Sequence, residues 1–386
     1  MAVKKVLFWL LPLYPIMFMY MIGKIPLGLI IYTPMLFVML AKPKQLRVDK
    51  SFVILSLALL LDEIIQLVLP YTDSSTIIHI MVPQLTFMLS IICMVNYVTL
   101  DDIIKPYTVI SVIYIIGLFY QVFQLFVMRI PITGPIILAP GLLSENNVVN
   151  DEILRPMSFF SEPQAFATWT IFFLIIMIEK RRLLLAALAT VAILLSTSTE
   201  GLVLAAVVWI IFILFNEARI ITKVLVIAGL AYLAYLYTTM DLFSVGMLKI
   251  TETDYGENER IVQGFRMLKN LDFQGWIFGI GTSMNHYYLE YINSSGLMDR
   301  DAGVFMTSAT GVFVTNGIFV GVLFWWFLIK KFSIKHKTLL MFSTCLLIIP
   351  FAQSFFYGSG FVYAMSLFYL FKRDVESNKG LILIKQ

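Results

Sequence analysis

Long apolar runs recur along this chain, and they restrict what it folds into more than any other feature. The sequence has 386 residues, of which 60% are hydrophobic and only 13% are charged, whereas an average globular domain is about 25% charged. The runs are roughly 17–25 residues long, the length that an α-helix needs to cross a bilayer. None alternates polar and apolar residues as a lipid-facing strand does. We therefore predict an all-α, polytopic membrane protein.

The predicted topology is a single domain over residues 1–386 with about twelve transmembrane helices. Lys4 and Lys5 lead into an apolar run that lacks a small-residue cleavage site. We therefore expect an uncleaved first span rather than a signal peptide. The spans are expected near residues 6–22, 25–41, 52–69, 76–98, 106–128, 162–178, 183–197, 201–215, 220–238, 304–329, 338–356 and 359–371.

The lysines and arginines orient these spans. With the N-terminus inside, the inner loops collect 20 of the 28 basic residues, as the positive-inside rule requires. Both termini are then cytoplasmic, with a C-terminal tail at 372–386. Two long loops, at about 129–161 and 239–303, lie on the extracytoplasmic side. The net charge of +4 follows largely from this topology, so no nucleic-acid partner is expected.

Cofactor signals are missing from the sequence pattern. Cys93 and Cys345 both lie inside apolar runs, which gives neither a disulfide framework nor metal-ligand spacing. The inner loops are short and contain no phosphate-binding motif. We expect no metal and no cofactor, and we expect any chemistry to occur at the outer face.

The most informative segment is the charged start of the sixth predicted span. Ser161-Glu162-Pro163-Gln164 has the form of a capping box, with Ser161 as N-cap and Gln164 reaching back. The free amide groups of a helix start, together with the Arg155 guanidinium, make an anion site that suits phosphate. Glu162 would pair with the arginine or accept a proton. The alternative is a plain cap with a surface ion pair worth under about 1 kcal/mol.

Other polar residues lie in the outer half of the predicted spans. Asp62 and Glu63 are within the third span, and Glu200 is at the outer turn between spans seven and eight. Such residues form either a cavity that opens outward or interhelical hydrogen bonds worth about 0.6 kcal/mol on average. We favour the cavity for Asp62 or Glu63, and hydrogen bonding for Gln121 and Gln124.

The second outer loop is acidic overall, with nine Asp and Glu against five Lys and Arg over 239–303. Two of its three arginines, Arg260 and Arg266, therefore stand out as candidate anion-binding groups. His286 is the loop's only histidine, and a lone histidine is more often structural than catalytic. Tyr287 offers a ring that stacks on a sugar face, although an interfacial aromatic belt is the commoner role for tyrosine at a membrane boundary.

Four features together resemble one protein family. The pattern Arg155-x-x-Ser158-Phe159-Phe160-x-Glu162-Pro163 resembles the first outer-loop motif of bacterial polysaccharide polymerases of the Wzy type, in the O-antigen polymerase and ligase superfamily. The other features, in the family's order, are the serine-rich turn Leu195-Ser196-Thr197-Ser198-Thr199-x-Gly201, Arg260 followed by Phe278-Gly279-Ile280-Gly281-Thr282, and a span with Gly311, Asn316, Gly317 and Gly321. They cover roughly residues 150–330.

The resemblance implies a GT-C-like glycosyltransferase of the bacterial cytoplasmic membrane. It would transfer a growing glycan from undecaprenyl pyrophosphate onto a lipid-linked repeat unit at the outer face, without a metal or a nucleotide sugar. Arg155 and Arg260 match the family's functional arginines and would stabilise the diphosphate as it leaves. Glu162 is our candidate proton acceptor. Weaker rivals for that role are Asp62, Glu63 and His286.

The resemblance also sets the expected partners and the remaining site residues. The partners are the lipid-linked oligosaccharide and membrane lipids, with a chain-length regulator and a flippase as further candidates. The candidate catalytic residues are Arg155, Glu162 and Arg260, and the candidate substrate-binding residues are Arg266, His286, Glu63, Glu200 and Tyr287.

Three alternatives remain open at this stage. A ligase of the same superfamily usually has a histidine just before the span that follows the second loop, and residues 302–308 hold none. Glu200 also stands where many relatives have arginine, and both departures favour a polymerase. A flippase for the same lipid-linked glycan would use the acidic span residues for ion coupling. A structural or sensory membrane protein would have no use for the outer arginines.

Overall fold

The computed structural model confirms the predicted all-α class. Within the residues that it describes, the chain is mostly helical. The short hairpin of Met21–Ile22 and Ile25–Pro26 is an antiparallel pairing of two residues on each side. The described residues are 2–23, 25–41, 48–66, 77–143, 155–215, 220–239, 259–281, 306–332, 336–356 and 358–384.

The first predicted span, 6–22, is not one continuous helix. Pro12 and Pro15 each occupy one of the first positions of a new helical segment, because proline cannot donate to the preceding turn of a continuing helix. The elements in this region are α1 (Ala2–Leu10), a 3-10 helix (Leu11–Leu13), α2 (Tyr14–Met17), β1 (Met21–Ile22) and β2 (Ile25–Pro26).

The remaining helices follow the apolar runs more closely. By length and composition, two helices within the described residues, Leu100–Phe126 and Ser308–Lys331, are long and apolar enough to cross a membrane. Further apolar helical stretches there have only 10–17 residues. These two helices are in keeping with a membrane protein, and the twelve-span topology stays a prediction. The helices are α3 (Leu27–Leu40), α4 (Lys50–Gln66), α5 (Ile77–Tyr97), α6 (Leu100–Phe126), α7 (Pro163–Glu179), α8 (Leu183–Leu195), α9 (Thr199–Phe215), α10 (Ile220–Thr239), α11 (Glu259–Asn270), α12 (Phe273–Phe278), α13 (Ser308–Lys331), α14 (Lys337–Ala352) and α15 (Ser359–Ile384), with a second 3-10 helix at Pro140–Leu142.

Helix α13 is broken at Gly317. Its sequence spacing predicts close helix packing there, and the structure adds a residue with φ +73° inside the helix. A Cβ atom on Gly317 would lie 2.1 Å from the carbonyl oxygen of Ile277 in α12, so only glycine fits. Next to the break, the backbone N–H of Gly281 donates to the carbonyl of Thr315 at 2.9 Å. Residues 277–281 of the second predicted outer loop therefore pack against the broken helix.

The C-terminal segment also differs from its sequence interpretation. Residues 372–386 are predicted to be a tail beyond the last span, but α15 continues to Ile384 as one helix. The first residue of this segment, Lys372, contacts the rest of the helix bundle, because its ammonium lies 3.3 Å from a carboxylate oxygen of Asp49. The basic residues after the last apolar run thus extend a helix.

Helices α7 and α14 run antiparallel and give the bundle two distinct ends. At the start of α7, the side-chain amide of Gln164 donates to the Ala352 carbonyl at 3.1 Å. At the other end of α7, Thr338 donates to the Glu179 carboxylate. These two ends are about 25 Å apart, since an α-helix rises about 1.5 Å per residue over the 17 residues of α7.

We name the two ends by their residues. The site end comprises the starts of α7, α9 and α13, the turn 196–198 and the segment 352–356, which are linked by hydrogen bonds such as that from Ser308 N to Gln353 O at 3.0 Å. The lysine end comprises Asp49, Glu179, Lys331, Lys337 and Lys372.

Candidate functional site

Arg155 binds the turn between α8 and α9. Its Nε donates to the hydroxyl of Thr197 and its Nη2 donates to the Thr197 carbonyl, both at 3.0 Å. Thr197 has a left-handed backbone, with φ +54°, which turns the chain sharply between the two helices. The segment that begins with Arg155 and the serine-rich turn are 42 residues apart in sequence. The fold brings these two motifs into contact.

Helix α6 positions the segment that follows Arg155. The side-chain oxygen of Gln121 accepts from the backbone N–H groups of Met157, at 2.8 Å, and Ser158, at 2.6 Å. The Ser158 hydroxyl donates to the Tyr114 carbonyl at 2.6 Å, and Ser158 itself has a φ of +58°. Gln121 is thus hydrogen-bonded, as predicted, but to the loop and not to another helix, and these contacts fix the path of the loop up to the start of α7.

The predicted capping box at the start of α7 is wrong. The N-cap is Glu162 rather than Ser161, its side chain makes no capping hydrogen bond, and Pro163 is the first helical residue. Gln164 does not reach back, because its amide donates instead to the buried carboxylate of Glu200. The Glu162 side chain is exposed. Its carboxylate is therefore at the surface of the site end and is not used to cap the helix.

Glu200 is the centre of a polar cluster under the start of α7. Its side chain is buried, and its Oε2 accepts from Gln164. Its Oε1 accepts from the Gln353 amide at 3.0 Å and from the Thr168 hydroxyl at 3.2 Å. All three donors are neutral, and hydrogen bonds to a carboxylate are about twice as strong as those between neutral groups. Helices α7 and α9 and the segment after α14 thus share one buried carboxylate.

The donors of this cluster were not predicted, although the sequence holds a signal for two of them. Gln164 and Thr168 are polar residues four apart at the start of an otherwise apolar helix, and residues four apart share one helix face. Gln353 has no comparable signal, because it is 153 residues from Glu200 in sequence.

Asp62 and Glu63 are two further buried carboxylates, next to each other in α4. Asn316, beside the break in α13, donates to Asp62 at 2.7 Å, and Gln84 in α5 donates to Glu63 at 2.6 Å. Both carboxylates are therefore hydrogen-bonded between helices, which is the alternative to the cavity that we favoured from the sequence. A role for Glu63 in substrate binding stays a prediction.

The predicted residues of the second outer loop are only partly described. Arg260 lies in α11, but its side chain is outside the described residues, as are His286 and Tyr287. Arg266 lies on the same helix, and its side chain is exposed. The roles predicted for these four residues therefore stay predictions.

Helix α11 packs against the first half of α13, which begins at the site end. A Cβ atom on Gly264 would lie 1.8 Å from the hydroxyl oxygen of Thr310, so the backbone of α11 lies directly against the Thr310 side chain of α13. Thr310 follows Ser308, which is hydrogen-bonded to Gln353. The helix that carries Arg260 is thus linked to the Glu200 cluster through α13. Proximity of Arg155 and Arg260 stays a prediction.

The site end therefore offers an arginine held by a turn, an exposed carboxylate at a helix start and a buried carboxylate beneath them. Among the described residues, no group of three or more His, Cys, Asp and Glu side chains is placed to hold a metal ion. No protein-family model, curated protein or solved structure matches this chain.

Proposed function

We propose that this chain is a polysaccharide polymerase of the bacterial cytoplasmic membrane, which transfers a growing glycan from undecaprenyl pyrophosphate onto a lipid-linked repeat unit. The observation that carries the proposal is the contact between Arg155 and the Thr197 turn. That contact joins two of the four sequence features that carry the family resemblance. It does so at the end of the bundle opposite the lysines.

The outward surfaces of the helices support a membrane setting for this proposal. Large apolar side chains are exposed on several helices, for example Ile116 on α6, Ile220 and Leu225 on α10, and Phe319 on α13. Soluble monomers rarely expose continuous apolar surface of this kind, whereas lipid solvates it. The proposal includes about twelve spans and both termini in the cytoplasm.

The lysine end supports the proposed orientation. Lys331 and Lys372 lie there, and the interhelical turn at Lys180, Arg181 and Arg182 follows Glu179 at the same end. Basic residues are enriched on the cytoplasmic side of membrane proteins. The site end then faces outward, which is where the lipid-linked glycan would be joined.

The proposed mechanism assigns one task to each charged group. An acceptor hydroxyl attacks the anomeric carbon of the donor, the bond from that carbon to the diphosphate oxygen breaks, and the diphosphate leaves with the electron pair. Arg155 and Arg260 would stabilise the charge on the leaving diphosphate, with about 3–4 kcal/mol for one well-placed donor. Glu162 would accept the proton of the attacking hydroxyl. Glu200 would act as a positioning residue, since it is buried and accepts a hydrogen bond from Gln164 at the start of α7.

The test is electrophoresis of surface glycans from a deletion strain complemented with variants. We expect the empty deletion strain to export single repeat units, because export would continue without polymerisation. We expect Arg155→Ala to give the same pattern, with at least about a hundredfold less polymer. We expect Arg155→Lys to remain defective, since lysine keeps the charge but loses the planar fork.

Two further variants separate phosphate binding from turn positioning. Thr197→Ala removes the hydroxyl that accepts from Arg155 and leaves the carbonyl, and we expect it to retain most of the polymer. Arg129→Ala removes an exposed arginine of the first predicted outer loop, and we expect full polymer. Equal defects in Thr197→Ala and Arg155→Ala would mean that Arg155 only holds the turn. Full-length polymer in Arg155→Lys would contradict bidentate diphosphate binding.

A second candidate function is a flippase for the same lipid-linked glycan, and the break in α13 favours it. Transporters often build ion sites from discontinuous helices, and here Asn316 at the break binds the buried Asp62. In that case the deletion strain would carry no repeat units outside, and Asp62→Asn would abolish export. Single repeats on the surface of the deletion strain would exclude this function.

A further inference from the structure

Residues 259–281 of the second predicted outer loop form an arm that packs on the first half of α13. Only two residues separate α11 from α12 in this arm, and the second of them, Asp272, caps α12 by accepting from the Gly275 backbone N–H at 2.7 Å. The arm and α13 share a small hydrophobic core, distinct from the main core of the bundle, whose buried members are Met267, Leu271, Ile280, Met306 and Val314. The arm therefore packs on α13 through a core of its own.

The end of the arm lies at the break in α13. The backbone N–H of Ile280 donates to the Val314 carbonyl, and that of Gly281 donates to the Thr315 carbonyl, both at 2.9 Å. The last carbonyls of a helical segment lack partners inside that segment, and next to the break the arm supplies donors for two of them. A Cβ atom on Gly279 would lie 2.3 Å from the Thr315 carbonyl oxygen, so the arm and α13 meet backbone to backbone.

Two buried polar side chains of α4 contact this junction. The Gln66 amide donates to the carbonyl of Phe278, the last residue of α12. One turn earlier on α4, the Asp62 carboxylate accepts from the Asn316 amide at 2.7 Å, and Asn316 directly precedes the break. Residues four apart on a helix share a face. One face of α4 thus contacts both the arm and the broken helix.

The partners of Asp62 and Gln66 indicate what these side chains do. Asn316 is a neutral donor to Asp62, and Gln66 is itself neutral and donates to a backbone carbonyl. An amide oxygen in place of the Asp62 carboxylate would still accept from Asn316. The contact therefore needs an acceptor oxygen, whereas a proton acceptor or an ion-coupling site would need the negative charge.

We propose that Asp62 and Gln66 are positioning residues, which hold the arm against α13 and thereby set the place of Arg260. Arg260 lies in α11, one turn before Gly264, whose backbone lies against the Thr310 side chain of α13. A displacement of the arm would therefore move Arg260 as well. This inference rests on the proposed polymerase function and adds to it the residues that place the second arginine.

The test compares substitutions that keep and that remove the acceptor at position 62. Polymerisation is measured with the full-length protein in lipid nanodiscs, and lipid-linked repeat units extracted from the deletion strain are the substrate. We expect Asp62→Asn to keep kcat within about threefold, because the hydrogen bond to Asn316 is retained. We expect Asp62→Leu and Gln66→Leu each to lower kcat about a hundredfold, as a catalytic group misplaced by about 1 Å does.

KM and hydrogen exchange show whether a loss of activity comes from the arm. KM should change less than about twofold, because the proposed task of Arg260 is to stabilise charge that develops only in the transition state. Amide hydrogen exchange over residues 259–281 should become faster in Asp62→Leu and Gln66→Leu and should stay unchanged in Asp62→Asn. If Asp62→Leu does not fold, Gln66→Leu and Asp62→Asn still decide.

The matched control is Thr86→Val. Thr86 is buried in α5, and its hydroxyl pairs with that of Thr33 in α3 at 2.9 Å. The variant therefore also removes a hydrogen bond between helices, but between two helices outside the junction of the arm with α13. We expect it to keep kcat and the exchange rates of the arm. A loss of kcat equal to that of Gln66→Leu would overturn the positioning role.

The other outcomes separate the positioning role from the function on which it rests. If the deletion strain still makes full-length polymer, the polymerase function is wrong, and the positioning role is wrong with it. If single repeats accumulate but Asp62→Asn loses as much kcat as Asp62→Leu, the charge of Asp62 matters and only the positioning role is wrong. If exchange in the arm becomes faster in Gln66→Leu while kcat is unchanged, the contact holds the arm without placing Arg260, which also contradicts the inference.

Discussion

Asp49 and Glu200 are two carboxylates at opposite ends of the helix bundle, and they are stabilised in opposite ways. Asp49, at the lysine end, lies 3.0 Å from the Lys331 ammonium and 3.3 Å from that of Lys372, and accepts from the Ser51 hydroxyl at 2.5 Å. Glu200, at the site end, accepts from two glutamines and a threonine, all of which are neutral.

We infer from this difference a structural role for the lysine end and, under the proposed function, a role in catalysis for the site end. The lysine end holds its charges in compact pairs, and Lys331 is almost completely buried there, so a change at one partner leaves the other charge without compensation. At the site end, neutral amides can rotate and pair again when a ligand or a proton arrives. We therefore expect mutations at the lysine end to affect stability and mutations at the site end to affect polymer synthesis.

The largest effect on stability is expected for Asp49→Asn. Without the carboxylate, the buried ammonium of Lys331 loses its main compensating charge, which costs about 3–5 kcal/mol when one partner of a buried pair is removed. Thermal unfolding of the purified protein in detergent measures this change. The glycan pattern of the folded fraction should remain that of the unmodified protein.

Asp101→Asn is the control for that substitution. Asp101 also pairs with a lysine, Lys180, but at 3.8 Å and with a side chain that is 91% exposed. Such a surface pair contributes at most about 1 kcal/mol. Equal destabilisation by Asp49→Asn and Asp101→Asn would show that burial of Lys331 is not what matters at the lysine end.

A smaller loss of stability is expected for Glu200→Gln. Its carboxylate bonds are lost, but the amide oxygen still accepts from one donor, so we expect destabilisation by about 2 kcal/mol. Polymer should decrease strongly, because Gln353 and Gln164 lose their common acceptor at the site end. Glu179→Gln, at the lysine end of α7, should leave the polymer intact. If Glu200→Gln destabilised the protein as much as Asp49→Asn, the two ends would not differ in kind.

The smallest expected effect is a pH dependence of the protein's stability, which arises from Asp49 at the lysine end. Burial alone would raise the pKa of Asp49, but the Ser51 hydrogen bond and the ammonium groups of Lys331 and Lys372 outweigh it and hold the pKa below its ordinary range. A lowered pKa contributes stability that is fully present above the unfolded pKa of about 4 and is lost as the pH falls through the folded value.

Melting temperatures of the unmodified protein and of Asp49→Asn, measured side by side, test that dependence. The difference between them should shrink as the pH falls below about 4, where Asp49 becomes protonated. A difference that already shrinks between pH 7 and pH 5 would contradict the assignment to Asp49.

Local sequence was sufficient for some parts of the fold. The apolar runs predicted helices because lipid or a helical core is the only setting for so many uninterrupted apolar residues. Pro163 marked the start of α7, since proline suits the first helical turn. Gln121 was correctly expected to act through hydrogen bonds, because a buried amide in an apolar helix needs a partner.

Other features depended on partners that are far apart in sequence. The predicted capping box was wrong because the Gln164 amide donates to the buried carboxylate of Glu200 and not to the backbone at the start of its own helix. Glu200 is within reach only because α7 packs on α9. The break at Gly317 depends on the approach of α12, whose Ile277 carbonyl leaves no room for a side chain. The pairing of Glu200 with Gln353 spans 153 residues.

Composition and periodicity were thus enough to predict a mostly helical chain with long apolar helices, because helix formation depends on residues close together in sequence. Which polar groups meet was settled by the packing of α7, α9, α13 and α14. Burial makes each polar group find a partner, and the partner within reach is set by where whole helices lie against one another.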